Sequence, residues 1–247
     1  MKIFEINISD YSFEELLKIL SDKLTRHEKF IFAYINVFIL QIIKKDATFR
    51  EILNSFDNLY CDGVGVYLAS KILYGKKGLK NRITGTDLYF KILELSDLNN
   101  YKCMFLSVNK DALGLIKDSL HSRYPGIQVT GTILYDKNFS FSTIEDINKS
   151  GSDILFVGLG TPLQEQWMSQ YRNKINIPIQ LTTGSGIEFM SGFKRRAPKF
   201  YQKIGFEWLY RLFHEPKRLW KRYLLGIPIF IYQILLFKLK LIVKAKN

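Results

Sequence analysis

Asp62 follows the apolar run Asn58–Cys61 and precedes Gly63-Val64-Gly65, which opens an apolar helical stretch over Val64–Leu73. A carboxylate at a strand end beside a crevice can act as a general base. An Asp just ahead of a helix is also a preferred N-cap, and the local pattern alone favours the cap. Three other strand-like runs end on residues of interest. Phe30–Ile35 runs into Asn36, Asp153–Leu159 into Gly160-Thr161-Pro162-Leu163-Gln164, and Ile177–Thr182 into Thr183-Gly184-Ser185-Gly186. The turn around Gly158, Gly160 and Pro162 leads into a helix, so its free N–H groups can take an anion, with Gln164 placed to donate to a phosphate or sugar. Neither glycine turn has the spacing of a dinucleotide fingerprint or a Walker loop, and each read alone is more often simply a turn. Arg82-Ile83-Thr84-Gly85-Thr86-Asp87 precedes a further helix, Leu88–Leu95. Thr86 or Asp87 is expected to cap it, leaving Arg82 as either a phosphate partner or a surface arginine.

Other chemistries find little support. The chain holds no Asp-x-Asp, no His-x-x-x-His and no Cys-x-x-Cys, and His27, His121 and His214 are scattered. Metal clusters and histidine triads are therefore not expected, and neither is a metal or other cofactor. Cys61 and Cys103 make no disulfide framework, which fits a reducing compartment. The N-terminus lacks an apolar h-region, so no signal peptide is expected.

Strand-like and helix-like segments alternate, which predicts an α/β fold with a mainly parallel sheet. Strands are expected at Lys2–Ile8, Lys29–Ile35, Asn58–Cys61, Tyr101–Val108, Ile127–Leu134, Asp153–Leu159 and Ile177–Thr182. Helices are expected after the Ser12/Glu15 capping box, over Lys110–Tyr124 up to Pro125-Gly126, and at Phe141–Lys149 and Gln164–Lys174. Parallel sheets bind ligands beyond the carboxyl ends of their strands, so the four chemically marked ends can share one crevice.

Charge divides the chain near Gly192, giving an expected neutral globular α/β body over 1–192 and a basic appendage over 193–247. The appendage carries 14 Lys/Arg against Glu207 and Glu215, a balance of +12 within a total of +13. Its apolar and aromatic content suits an anionic, greasy partner: a phospholipid surface, a lipid-linked phosphate or, less well, nucleic acid. On one continuous helix over Gly205–Tyr223, Arg211, Arg218 and Arg222 fall within about 20° of one line, opposite Leu209, Phe213 and Trp220. Pro216 is expected to break that helix near Glu215. Three forked donors on one stripe suit a diphosphate, while the bland reading is a solvated basic face. The uncharged run Leu224–Phe237 is 14 residues long and contains Gly226 and Pro228. That is short of the roughly 20 a spanning helix needs, so it reads as an interfacial segment or a buried C-terminal helix.

Taken together these stretches resemble the WecG/TagA/CpsF glycosyltransferases. The resemblance rests on Ile35-Asn36, Tyr60-Cys61-Asp62-Gly63-Val64-Gly65-Val66, Arg82-Ile83-Thr84-Gly85-Thr86-Asp87-Leu88, Tyr124-Pro125-Gly126 and Gly158-Leu159-Gly160-Thr161-Pro162-Leu163-Gln164-Glu165-Gln166-Trp167. It continues through Gly192-Phe193-Lys194-Arg195-Arg196-Ala197-Pro198, Glu207–Leu212 and Glu215–Trp220. It implies a Rossmann-like, inverting, metal-independent enzyme at the cytoplasmic membrane face. Such an enzyme moves a sugar from a UDP-sugar to a polyprenyl-diphosphate-linked sugar for a teichoic acid or other surface polysaccharide. It implies Asp62 as the base, against the local preference for a cap. It implies donor and acceptor binding by Asn36, Arg82, Thr86, Asp87, Gly158, Gly160, Gln164, Gly184, Gly186 and Glu188. It implies diphosphate binding by Arg211, Arg218, Lys221 and Arg222. Three positions depart from the family pattern: Tyr34 stands where Thr is usual, Gly184-Ser185-Gly186-Ile187-Glu188 replaces Gly-Gly-x-Phe-Asp, and Lys221 stands where an arginine is usual. The competing readings are a non-enzymatic membrane or nucleic-acid adaptor and, more weakly, a nicotinamide dehydrogenase. Assembly into a homo-oligomer is compatible with the sequence.

Overall fold

The computed structural model describes residues 1–136, 139–203 and 205–244. Its strands are β1 (Lys2–Ile3), β2 (Ile6–Asn7), β3 (Phe30–Ile35), β4 (Asn58–Cys61), β5 (Lys102–Ser107), β6 (Gln128–Leu134), β7 (Ile154–Gly158) and β8 (Ile179–Thr182). The last six form a single sheet in the order β4-β3-β8-β7-β5-β6, with every adjacent pair parallel. Strands β3, β4, β7 and β8 are buried along their whole length, as expected for apolar runs covered on both faces. β6 alternates between exposed and half-buried residues because it forms an edge.

One expected strand is corrected. Lys2–Ile8 does not enter the sheet but folds as the small antiparallel hairpin β1–β2. Phe4 and Glu5 make its turn at φ 46° and 67°, a region L-residues seldom adopt. Phe4 is buried under the C-terminal helix, its ring 5.1 Å from that of Phe237. Tertiary packing thus overrides a strand-like local sequence.

The helices are α1 (Phe13–Thr25), α2 (Val37–Ile43), α3 (Ala47–Asn54), α4 (Val64–Tyr74), α5 (Gly85–Asn99), α6 (Lys110–Arg123), α7 (Phe141–Lys149), α8 (Leu163–Tyr171), α9 (Gly186–Met190), α10 (Lys199–Lys203), α11 (Glu207–His214), α12 (Pro216–Trp220) and α13 (Gly226–Lys244). The Ser12 box is formed: Glu15 N–H donates to Ser12 Oγ at 3.2 Å, and Ser12 N–H to Glu15 Oε2 at 2.7 Å. Helices α2 and α3 were not anticipated, because Val37–Ile43 is too uniformly apolar and β-branched to show a helical period. Their signal lay in the caps, with Asn36 Oδ1 accepting from Ile39 N–H and Asp46 Oδ1 from Phe49 N–H.

The appendage is not one helix. The chain breaks at Glu215 (φ −131°, ψ 54°), where Pro216 starts α12, and passes through a π-turn at Lys221–Leu225 before α13. The single arginine line drawn on an unbroken helix therefore does not hold. From Pro216 to Val243 the chain is helical for 28 residues, long and apolar enough to cross a membrane by length and composition. One side of α13 packs on α2 and α4, burying Phe230 and Ile234. The other side shows Ile229, Ile231, Leu235, Leu239 and Val243 to solvent.

Candidate active site

The sheet order makes β4, β3, β8 and β7 contiguous, so the four marked strand ends lie side by side. In register, Ile35 sits opposite Cys61, Phe32 opposite Leu181, and Val157 opposite Thr182. Asn36 spends its side-chain oxygen as the α2 cap, and its amide nitrogen has no hydrogen-bond partner among the described residues.

Asp62 is held at the end of β4 by its own backbone. Its N–H donates to the Ile35 carbonyl at 2.9 Å, and it forms a parallel bridge with Ile83. Gly63 then turns the chain at φ 84° and caps α4 without a side-chain bond. Asp62 does cap a helix, but a distant one: its Oδ1 accepts from Gly85 N–H, the start of α5, at 2.9 Å. The expected caps are corrected accordingly. Asp62 does not cap α4, and Thr84, rather than Thr86 or Asp87, occupies the N-cap position of α5. Oδ2 accepts no hydrogen bond among the described residues. Burial pushes the Asp62 carboxyl above the ordinary carboxylate range, against the Gly85 N–H and the Arg211 and Arg222 guanidiniums, with Glu207 adding to the rise. A carboxylate so raised is a better base at neutral pH. The same influences show that the appendage's Arg211, Arg222 and Glu207 lie within electrostatic reach of Asp62.

Across the sheet a buried network fixes the β3, β7 and β8 ends to one another. Gln164 is fully buried; its Nε2 donates to Tyr34 Oη at 3.0 Å and Glu165 Oε1 at 2.8 Å, and its Oε1 accepts from Gly184 N–H at 2.9 Å. The amide is spent within the protein and serves to position the two glycine turns. Burial, first, and the Glu165 charge push the Tyr34 hydroxyl up to about 12, so it stays protonated. Gly184 lies at φ 54°, and a Cβ there would stand 2.7 Å from Tyr34 Oη. Gly184 N–H is taken by Gln164 and Gly186 N–H by the Thr183 carbonyl. Gly158 packs against Ile187 and the Gly184 carbonyl. Gly160, at φ 80° with open space around it, is left as the glycine whose backbone an anion can approach.

The remaining sequence-identified residues divide. Arg82 is exposed, and its guanidinium lies against Gly205, where the chain enters α11. Thr86 is buried in the first turn of α5. Asp87 pairs with Arg196, and Glu188 with Lys194 at 2.7 Å and Asn109 at 2.9 Å, so both acids face the appendage's cations. Arg211 is pinned between Glu207 (3.0 Å) and the Phe189 ring (4.6 Å). Arg222 lies over Phe38, the second residue of α2, at 4.7 Å. Arg218 turns to Glu215 at 2.6 Å, and exposed Lys221 lies over Trp220 at 5.6 Å. Arg211 and Arg222 thus lie within electrostatic reach of Asp62, whereas Arg218 and Lys221 are turned to Glu215 and Trp220. A depression of about 550 Å³ between β6 and α7, lined by Thr130, Thr132, Asp146 and Lys149 among others, lies at the far edge of the sheet from Asp62.

Sequence reasoning passed over Glu165, Tyr89, Arg196 and Glu207. Glu165 and Tyr89 are buried; Tyr89 ties α5 to the crevice by donating to the Thr182 carbonyl at 3.1 Å. The available sign was that Glu207 and Glu215 are the only acids in a strongly basic segment.

Residues 1–243 match the glycosyl transferase WecG/TagA/CpsF family. Proteins of Staphylococcus aureus strains MW2 and NCTC 8325, both named N-acetylglucosaminyldiphosphoundecaprenol N-acetyl-beta-D-mannosaminyltransferase, are each 32% identical to the chain over 198 residues. The match covers 80% of this chain and 76% of each relative. The adaptor and dehydrogenase readings fall away: the chain belongs to the WecG/TagA/CpsF family and is a glycosyltransferase.

Proposed function

We propose that this enzyme transfers an N-acetylmannosamine-type sugar from UDP to an N-acetylglucosamine carried on a polyprenyl diphosphate. The relatives' names, which specify that acceptor and that sugar, support the reading. The observation that carries it is the placing of Asp62: a half-buried carboxylate at a strand end, one oxygen fixed by Gly85 and the other without a hydrogen-bond partner among the described residues, with Arg211 and Arg222 within electrostatic reach.

The sugar nucleotide enters over the ends of β3, β7 and β8. Its phosphates lie at the Gly160-Thr161 turn, where both N–H groups lack a protein partner among the described residues. Arg211 and Arg222 hold the acceptor's diphosphate. Asp62 Oδ2 takes the proton from the acceptor hydroxyl as its oxygen attacks the anomeric carbon from the face opposite UDP. The bond to UDP breaks in the same step, inverting the centre, and the departing charge is met by N–H donors and guanidiniums rather than a general acid. The reaction is proposed to need no bound metal, in keeping with the missing Asp-x-Asp. The exposed apolar side of α13, beside a tail of +12, is proposed to lie in the anionic inner face of the plasma membrane.

The test is UDP release by the purified protein from a panel of UDP-sugars, with and without a short-chain polyprenyl-diphosphate N-acetylglucosamine, in EDTA. Release that needs the lipid acceptor and falls about a hundredfold or more in Asp62→Asn is expected. Near-normal turnover in that variant would remove Asp62 from the base role.

A further inference from the structure

The appendage's two acids each sit between a cation of the segment entering it and an arginine of its helices, but the two joints differ. Glu215 is closed. Its Oε2 accepts from Arg218 Nε at 2.6 Å and from Lys194 Nζ at 3.3 Å, and Lys194 also bridges to Glu188 at 2.7 Å. Glu207 is not. Its Oε1 accepts from Arg211 Nη2 at 3.0 Å, while its Oε2 stops 3.7 Å short of Arg196 Nη2, beyond hydrogen-bond range. Arg196 is held from its other side by Asp87. Its Nε and Nη2, with Arg211 Nε, are buried donors that have no hydrogen-bond acceptor among the described residues. Unpaired buried donors are rare in native proteins and call for a reason. Here all three belong to the two arginines that flank one carboxylate, Glu207.

We propose that Glu207 is a stand-in anion: it occupies Arg211 while the site is empty, and it moves onto the unpaired donors of Arg196 when the acceptor's diphosphate takes Arg211. The inference rests on the reading of the acceptor as a lipid diphosphate. Its logic is charge balance. Arg211 and Glu207 are both half-buried, so leaving Arg211 without a counter-ion or leaving Glu207 beside an incoming diphosphate are both costly. A second seat on Arg196 avoids both. The exchange also discriminates: an anion that touches Arg211 alone must displace Glu207 unaided, whereas a diphosphate that also reaches Arg222 gains a second contact. Arg196 and Glu207 are positioning residues in this scheme, acting through Arg211.

The partners of an ordinary structural ion pair fail in the same direction, whereas exchange predicts opposite signs. Binding of inorganic diphosphate to the full-length protein is measured by calorimetry, and the KM for the short-chain lipid acceptor by UDP release. Glu207→Gln frees Arg211 and is expected to tighten inorganic diphosphate about fivefold; Arg196→Gln traps Glu207 on Arg211 and is expected to raise both the diphosphate Kd and the acceptor KM about fivefold, with kcat held within about twofold. The double variant is expected to bind diphosphate within about twofold of Glu207→Gln, since no carboxylate is left to trap, and a return to the parent's affinity, as two independent charge changes would give, would overturn the exchange. Thermal melts accompany each protein. Should Arg196→Gln melt early, Arg196→Lys, which keeps a cation for Asp87, is expected to shift in the same direction. Weakening of diphosphate by both single changes, with additive loss in the double, would overturn the exchange. Absence of any turnover in the parent protein with a panel of UDP-sugars would instead overturn the reading of function.

Discussion

The wall of the crevice and the basic appendage that follows it in the chain, its flap, are built from opposite materials. The wall is buried, with Glu165 its one acid among the residues named: Tyr34, Gln164 and the Gly184 backbone hold one another by hydrogen bonds, and Tyr89 of α5 joins them through the Thr182 carbonyl of β8. The flap is charged and half-exposed, and reaches the body through Lys194 and Arg196. Half-exposed ion pairs contribute only about 0–1 kcal/mol each and weaken with salt. The flap's position therefore depends also on apolar contacts such as buried Leu219 and Ala197. A rigid wall suits a sugar nucleotide that must present its anomeric carbon in one orientation. An adjustable flap suits an acceptor whose lipid arrives from a membrane.

The comparison breaks hardest at Asp62, where wall and flap meet. Its folded pKa is raised, so ionisation disfavours the folded state above that pKa, and the penalty is relieved as pH falls through it. Activity is expected to show the opposite dependence, because the base proposed for Asp62 works ionised. The kcat/KM profile is expected to lose its acid limb at a pH above about 3.9, the ordinary Asp value. Asp62→Asn, whose oxygen can still accept from Gly85, is expected to melt higher than the parent while losing turnover; a lower Tm would contradict the penalty. Next in size is Gly184→Ala, which asks for a left-handed alanine and drives its Cβ against Tyr34 Oη. A loss of about 2–3 kcal/mol in urea unfolding is expected. Tyr34→Phe is gentler, because Gln164 Nε2 keeps Glu165; about 1 kcal/mol is expected, with a raised donor KM and an unchanged acceptor KM. Smallest is the effect of salt. Raising it is expected to speed amide exchange in α11 and leave β8 unchanged, and equal acceleration in both would erase the distinction between wall and flap.

How much was legible in the sequence followed the range of the interactions. Buried parallel strands announce themselves as apolar runs, and β4 and α7 were placed to the residue. Asp62 could be singled out, but its local reading as the cap of α4 missed the real bond to Gly85, 23 positions away. Gln164 looked like a donor to substrate until its burial showed each polar atom engaged. The arginine line failed because a helical projection assumes one axis, and the break at Glu215 gives each arginine a separate direction.

Composition and pattern by themselves determined the α/β class, the four chemically marked strand ends and the basic, greasy tail, since each depends on neighbours close along the chain. Tertiary structure alone decided that those four ends are adjacent, that Asp62 bonds α5 rather than α4, and that two of the tail's arginines come within electrostatic reach of Asp62. Strand order, a trans-helix cap and an ion pair are contacts between distant segments. Their free energy exists only once the sheet has brought those segments together, and no local propensity encodes it.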